Sequence, residues 1–313
     1  MGGDTGRLRE EIRRLVLESG AVAVGFARAG EISKTEQDHF SLWLGKGLHA
    51  GMGYLESHET LRKHTDNVLP GAQTVISMAF SYAPKKWRES ALPDIAFYAY
   101  GKDYHDVIRK RLKPIVGILT EKYGGKWRIC VDSAPLPERY WAIKAGIGIP
   151  GKNGAVIVDG AGSLCFLAEI LTELEIEPDI PSAGSCEGCG KCMSVCPTGA
   201  LTKDYFFDSG KCINYLTIEH RGEWNNEQKK LLGKAGNPFF GCDRCIRICP
   251  HNRGISLTDI PEFHVSPAIE NLTPEVLNNM NEGIFKDYFR DSPIKRTKFE
   301  GIKRYLKLKL LSN

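Results

Sequence analysis

"CEGCGKCMSVCPTGAL" runs from Cys186 to Leu201, and "CDRCIRICPHN" runs from Cys242 to Asn252. These two short stretches hold seven of the chain's ten cysteines. In the first, Cys186, Cys189, Cys192 and Cys196 are spaced C-x2-C-x2-C-x3-C, and Pro197 follows. Three thiolates at that spacing close on one iron–sulfide cube, while the fourth points at a neighbouring one, so the run implies two clusters. Cys242, Cys245 and Cys249, again followed by proline, supply most of a second run, and Cys212 between the runs supplies its missing ligand. The expected assignment is crossed. Cys186, Cys189, Cys192 and Cys249 hold one 4Fe-4S cluster, and Cys196, Cys212, Cys242 and Cys245 hold the other.

Structural zinc and disulfides are the plain alternatives. Zinc sites use two separated pairs of ligands, which fits two overlapping runs poorly. A chain of 313 residues has core enough to stand without disulfide staples. Cys130 and Cys165 each lie inside an apolar run and read as small buried hydrophobes. Apolar residues make up 42% of the chain and charged residues 26%, the proportions of an ordinary globular protein. No stretch approaches the twenty or so apolar residues of a membrane helix, and "MGGDTGRLREEIRRL" is charged and helical in pattern, unlike a secretory signal. The expectation is a cytoplasmic protein with no membrane partner, whose thiols stay reduced and serve as metal ligands. The net charge is only +4, but seven basic residues against Glu300 alone lie between Lys295 and Lys309, a patch suited to an anionic partner.

Upstream of the cysteines the pattern alternates. Leu8, Ile12, Leu15 and Val16 share a helical face, "AVAVGFA" (21–27) and "TVISMAFSY" (74–82) read as strands, and Ile108, Leu112, Ile115 and Leu119 mark a helix ended by Gly124 and Gly125. "WRICVD" (127–132), a helix near 139–145, "AVIV" and "SLCFLAEIL" follow. This predicts an α+β or α/β fold class, with an α/β first domain over residues 1–180. After the Pro- and Gly-rich "EPDIPSAGS" come a bacterial-ferredoxin-like two-cluster module (181–255) and a basic, partly helical tail (256–313).

Two clusters make an electron path that needs a terminus in the first domain. Asp132 ends "WRICVD", where α/β sheets place ligands, and is read either as the cap of the turn into "SAPLPER" or as an acid whose pKa burial has raised. His105, beside Tyr104, is by itself a helix-start residue, and "GIGIPGKNG" lacks the dinucleotide fingerprint.

"VDSAPLPERYWAIKAGIGIPGKNG", the double cysteine run, "YGKDYHDVIRKRL" and "DSPIKRTKFEGIKRY", in their order, resemble the epoxyqueuosine reductases over about residues 8–305. The resemblance is to shorter members, without the C-terminal helical repeats of longer ones. It implies a base-off cobalamin in the first domain, recharged by the two clusters from a low-potential electron donor, and a tRNA substrate carrying epoxyqueuosine in its anticodon. It also implies that Asp132 is the proton donor. Arg62 in "ETLRKHTD", Tyr104 and His105 in "KDYH", Lys152 and Asn153 in "GKNG", and Thr217 in "YLTIEHRG" match segments that line the cobalamin pocket. The basic tail, with Lys110, Arg111 and Lys113, would then meet tRNA phosphates. Two rivals use the same parts: a reductive dehalogenase, a class that carries a twin-arginine leader not found in this N-terminus, and an electron-transfer protein with no substrate, which would bind no corrinoid.

Overall fold

The computed structural model describes residues 2–86, 92–186, 188–202 and 206–310. The last three residues of the expected tail therefore lie outside it. In chain order, α1 (Gly2–Glu18), β1 (Ala23–Arg28), α2 (Lys34–Gly45), β2 (Thr74–Ser81), α3 (Tyr104–Tyr123), β3 (Trp127–Cys130), α4 (Glu138–Lys144) and β4 (Cys165–Thr172) build the first half.

The four strands form one sheet in the order β1-β2-β4-β3, and every neighbouring pair is antiparallel. This settles the fold class as α+β and corrects the α/β reading of the first domain. The alternation did report a crossover: β2 and β3 run in the same direction with α3 between them. Yet β4, arriving later in the chain, inserts between them and reverses both ladders. A strand added from a distant segment leaves no mark on the local alternation.

Both faces of the sheet are covered, so β2 is buried along its whole length and shows no polar alternation. Leu8, Ile12 and Val16 of α1, with Ile108, Leu112, Ile115 and Leu119 of α3, pack over Phe26, Ile76, Met78 and Ile170. On the opposite face Trp141 of α4 and Ala145 at its C-cap close over Ala27, Val75, Cys130 and Leu171. The approach of β1 to the end of α4 is tight enough to require glycine. A Cβ on Gly25 would lie 1.9 Å from the carbonyl oxygen of Ala145.

Two short helices within the cysteine runs, α5 (Lys191–Val195) and α6 (Arg244–Arg247), pack together. The C-terminal helix α7 (Lys298–Leu310) is built into the body rather than appended as a tail. Ile294, Ile302 and Tyr305 share a core with Ile95, Leu164, Ile218 and Phe240. That core draws on all three stretches of sequence. Among the described residues no helix is long and apolar enough to cross a membrane.

Candidate active site and cysteine groups

The first turn of α3 meets the turn that leaves β3. Asp103 caps α3, and its Oδ1 accepts from the His105 amide at 3.2 Å. The His105 ring then bridges two carboxylates, with Nδ1 2.7 Å from Asp103 Oδ1 and Nε2 3.1 Å from Asp132 Oδ2. Tyr104 stacks on His105 and on Phe166, with ring centres 4.1 and 4.2 Å apart, which fixes the imidazole plane. Lys295 reaches the other oxygen of Asp103 at 2.8 Å.

Asp132 itself is held in an unusual backbone form. Its φ is +56°, and the Ser133 amide donates across it to the Val131 carbonyl at 2.6 Å. A γ-turn of this hand is rare for a residue with a side chain, and such strain, about 1–3 kcal/mol, clusters at functional sites. Arg109, one turn beyond His105 on the same face of α3, donates to the Val131 carbonyl at 3.2 Å and to Ser133 Oγ at 2.6 Å. The Asp132 amide donates to Glu138 Oε1.

The charges follow from this geometry. Burial works to raise the Asp132 pKa, but the His105 hydrogen bond and charge, aided by Arg296 and Tyr104, prevail and hold it below its ordinary value. The expectation that burial raises it is thereby corrected, because a cationic imidazole within hydrogen-bond reach outweighs desolvation. Burial likewise opposes the charged form of His105, but its bonds to Asp103 and Asp132 push it up to about 9. The resting pair is a carboxylate and an imidazolium. Behind it Glu138 is pushed well above the usual carboxylate range by burial and then by the Asp132 charge. Glu169 of β4, fully buried beneath α4, is raised by burial and then by Glu138.

This pair has a pH signature. The His105 pKa is raised above its unfolded value near 6.5, so its contribution to stability is complete below that value and is lost as pH rises through about 9. Urea unfolding should therefore show the advantage of the parent chain over His105→Gln shrinking between pH 6.5 and 9.5. A constant difference across that range would show that His105 is neutral in the fold.

The side chain of Asp132 is 46% exposed, so one side of it is open to solvent. Arg62, Tyr54 and Arg296 each interact electrostatically with Asp132, and Tyr54 with both arginines. Arg62 lies over the Phe40 ring at 5.5 Å, and Arg296 is held by Glu219 at 2.6 Å. Arg62, Tyr104, His105 and Asp132 are thus brought together. Lys152 and Asn153 are elsewhere: they wall a small cavity whose other sides include Cys186, Cys189, Cys192 and Cys249. Thr217 is buried. Its hydroxyl donates to the Ile213 carbonyl at 2.7 Å and accepts from the Gly241 amide at 2.9 Å, inside the π-helical turn Tyr215–Glu219.

The remaining thiols form a second group. Burial raises Cys212, Cys242 and Cys245, and each is raised further by other members of the set that includes Cys196. Cys249 is raised by burial and then by Cys186 and Cys189, on the far run. Backbone amides of Thr198, Ala200 and Leu201 point at the Cys196 sulfur, and those of Asn214 and Tyr215 at Cys212. Soft thiols with backbone amides aimed at their sulfurs, as at Cys196 and Cys212, suit iron–sulfur chemistry. Cys130 is buried in β3 and Cys165 packs among apolar neighbours, away from both groups.

Residues 62–133 match a family profile described as "Epoxyqueuosine reductase QueG, DUF1730", and residues 185–252 match one described as a 4Fe-4S double cluster binding domain. The epoxyqueuosine reductase of Cellulophaga algicola is 34% identical over 92% of this chain and 95% of its own. The chain belongs to the epoxyqueuosine reductase family. Another epoxyqueuosine reductase, from Escherichia coli, is 36% identical over 88% of this chain and 72% of its own length. In three dimensions the chain superposes on a crystal structure of an epoxyqueuosine reductase with an epoxyqueuosine-modified tRNA-Tyr stem loop, at a TM-score of 0.86 and 28% identity, over 98% of this chain and 81% of that one. The Bacillus subtilis epoxyqueuosine reductase whose catalytic loop is swung out of its active site matches with a TM-score of 0.87 and 28% identity, over 98% of this chain and 82% of that one.

Arg109 and Glu138 went unnoticed in the sequence although both lie in quoted motifs. The signal available was spacing: Arg109 is four residues beyond His105, hence on the same helical face. Glu138 offered no such signal. It is six residues from Asp132, beyond two prolines.

Proposed function

We propose that this chain reduces the epoxide of epoxyqueuosine in a tRNA anticodon to give queuosine, with cobalamin in the Asp132 cleft and two 4Fe-4S clusters on the cysteine groups. The observation that carries the reading is the bonded Asp132–His105 pair with Asp132 half-exposed, in a chain whose relatives bear the name of this reaction. Both carbon–oxygen bonds of the epoxide break and a carbon–carbon double bond forms. The oxygen leaves as water after two electrons and two protons are taken up. Cobalamin bound there would supply low-valent cobalt as the electron source.

The chain's own part is positioning and proton supply. His105 stores the proton as an imidazolium, and Asp132, bonded to it at 3.1 Å, passes it to the departing oxygen. Filling the cleft removes water from the exposed side of Asp132, which moves its pKa back up toward working pH. Asp103 and Lys295 anchor His105 from behind.

Arg62, Tyr54 and Arg296 line the cofactor space. Thr217 contributes as a strut that ties Ile213 to Gly241, next to Cys242. Tyr98 interacts electrostatically with both Asp132 and Asp243, the neighbour of Cys242, which supports the Cys196, Cys212, Cys242, Cys245 cluster as the one nearer the cleft. The Cys186, Cys189, Cys192, Cys249 cluster, walled by Lys152 and Asn153, is then the entrance for electrons from a low-potential donor. In functional terms residues 1–180 carry the cofactor, 181–255 the clusters and the remainder tRNA contacts, in a cytoplasmic setting that keeps the thiols reduced.

The basic C-terminal stretch serves two ends. Arg304 is buried and donates to the carbonyls of His220 and Gly222, Arg296 is bound to Glu219, and Lys307 to Glu223. Arg111 is likewise engaged with Ser19 and Glu262. Exposed Lys298, Lys303, Lys110 and Lys113 are the ones suited to tRNA phosphate.

The deciding experiment is anaerobic incubation of the reconstituted chain, cobalamin and a chemical reductant with epoxyqueuosine-containing tRNA, followed by nucleoside mass spectrometry. A product lighter by one oxygen is expected. Persistence of the epoxide in the presence of bound cobalamin and both clusters would overturn the substrate assignment.

A further inference from the structure

The γ-turn at Asp132 is held from outside itself. Arg109 grips the residues on either side, Val131 through its carbonyl and Ser133 through its hydroxyl. The amide of Asp132 itself goes to Glu138 Oε1. Glu138 stands in the first turn of α4, and that helix is firmly seated. Trp141 and Ala142 are buried against the sheet, and the Ala145 carbonyl abuts Gly25. A side chain based there can therefore hold a strained loop in place. A residue with a Cβ leaves positive φ readily once nothing holds it there.

We propose that Glu138 is the positioning residue for Asp132: by accepting the Asp132 amide it holds the γ-turn, and through it the aim of the Asp132 carboxyl at His105 and the cleft. The inference rests on the reading of Asp132 as the group that passes the proton. It needs an acceptor oxygen at residue 138 and no negative charge. An ionised Glu138 would push against the Asp132 carboxylate, and burial together with that same charge favours its neutral form.

The test uses the full chain loaded with both clusters and cobalamin. Glu138→Gln keeps the acceptor, Glu138→Met removes it at similar volume, and Glu138→Asp keeps the carboxyl but falls one methylene short. Hydrogen exchange over residues 131–136 and steady-state reduction of epoxyqueuosine tRNA are read for each. Met and Asp should speed exchange there and lower kcat by about tenfold or more, with KM changed less than about twofold, while Gln stays within about threefold of the parent. Unchanged exchange in Met, or a Gln variant as slow as Met, would overturn the latch. The exchange arm needs no substrate, so a wrong substrate assignment would leave its result standing.

Discussion

Asp132→Asn is expected to lower turnover of epoxyqueuosine tRNA by about 10²–10⁴-fold, the usual worth of a positioned general acid, with cluster absorbance and cobalamin binding unchanged. Asparagine is the substitution that isolates the proton. It has the same shape, it tolerates the left-handed backbone that φ of +56° demands, and its oxygen still accepts from His105 Nε2. What it lacks is the exchangeable carboxyl proton and the negative charge that stabilises the His105 imidazolium. A second effect follows: without that charge the His105 pKa falls from about 9 toward its ordinary value. Residual activity of the variant should therefore fall away at lower pH than that of the parent. Parent-like turnover would remove Asp132 from the chemistry and leave the pair as a structural ion bridge.

The parts of this site legible in the sequence are those fixed by local spacing. The cysteine runs announce themselves because a cube of iron and sulfide dictates where three thiolates of one short segment must fall. Asp132 was legible as the residue at a strand end, yet its charge state was not, since that depends on His105, which lies 27 residues earlier and meets it only in the fold. The strands themselves were readable from their apolar runs. Their directions were not, because the insertion of β4 between β2 and β3 is a long-range event. The basic stretch shows the same limit from another side. Counting lysines and arginines found a patch, but Arg304 and Arg296 serve the chain's own carbonyl and carboxylate groups, and composition cannot tell a solvated charge from a satisfied one. Thr217 lies in a motif of the right family, but its hydroxyl is spent on backbone partners.

Cys249→Ala carries the other large expected effect, and it falls on a cluster whose remaining ligands lie more than fifty residues away in sequence. If the crossed assignment holds, removing this thiol damages the cluster on Cys186, Cys189 and Cys192 and leaves the one on Cys196, Cys212, Cys242 and Cys245 in place. Iron should then drop from about eight toward about four atoms per chain. Cys249 is buried and lies among Cys186 and Cys189, so no water-exposed surrogate ligand is at hand to rescue the site. Electron delivery from the outer cluster stops, whereas cobalamin still binds, since none of its proposed contacts is touched. Cys165→Ala is the control: that thiol packs among apolar residues of the sheet, and its loss should cost some stability and no iron. The opposite pattern, with Cys196→Ala destroying the first-run cluster and Cys249→Ala sparing it, would mean that each run folds around its own cube. The two groups of sulfurs would then have to exchange partners on loading, against the electrostatic coupling of Cys249 to Cys186 and Cys189 and of Cys196 to Cys245.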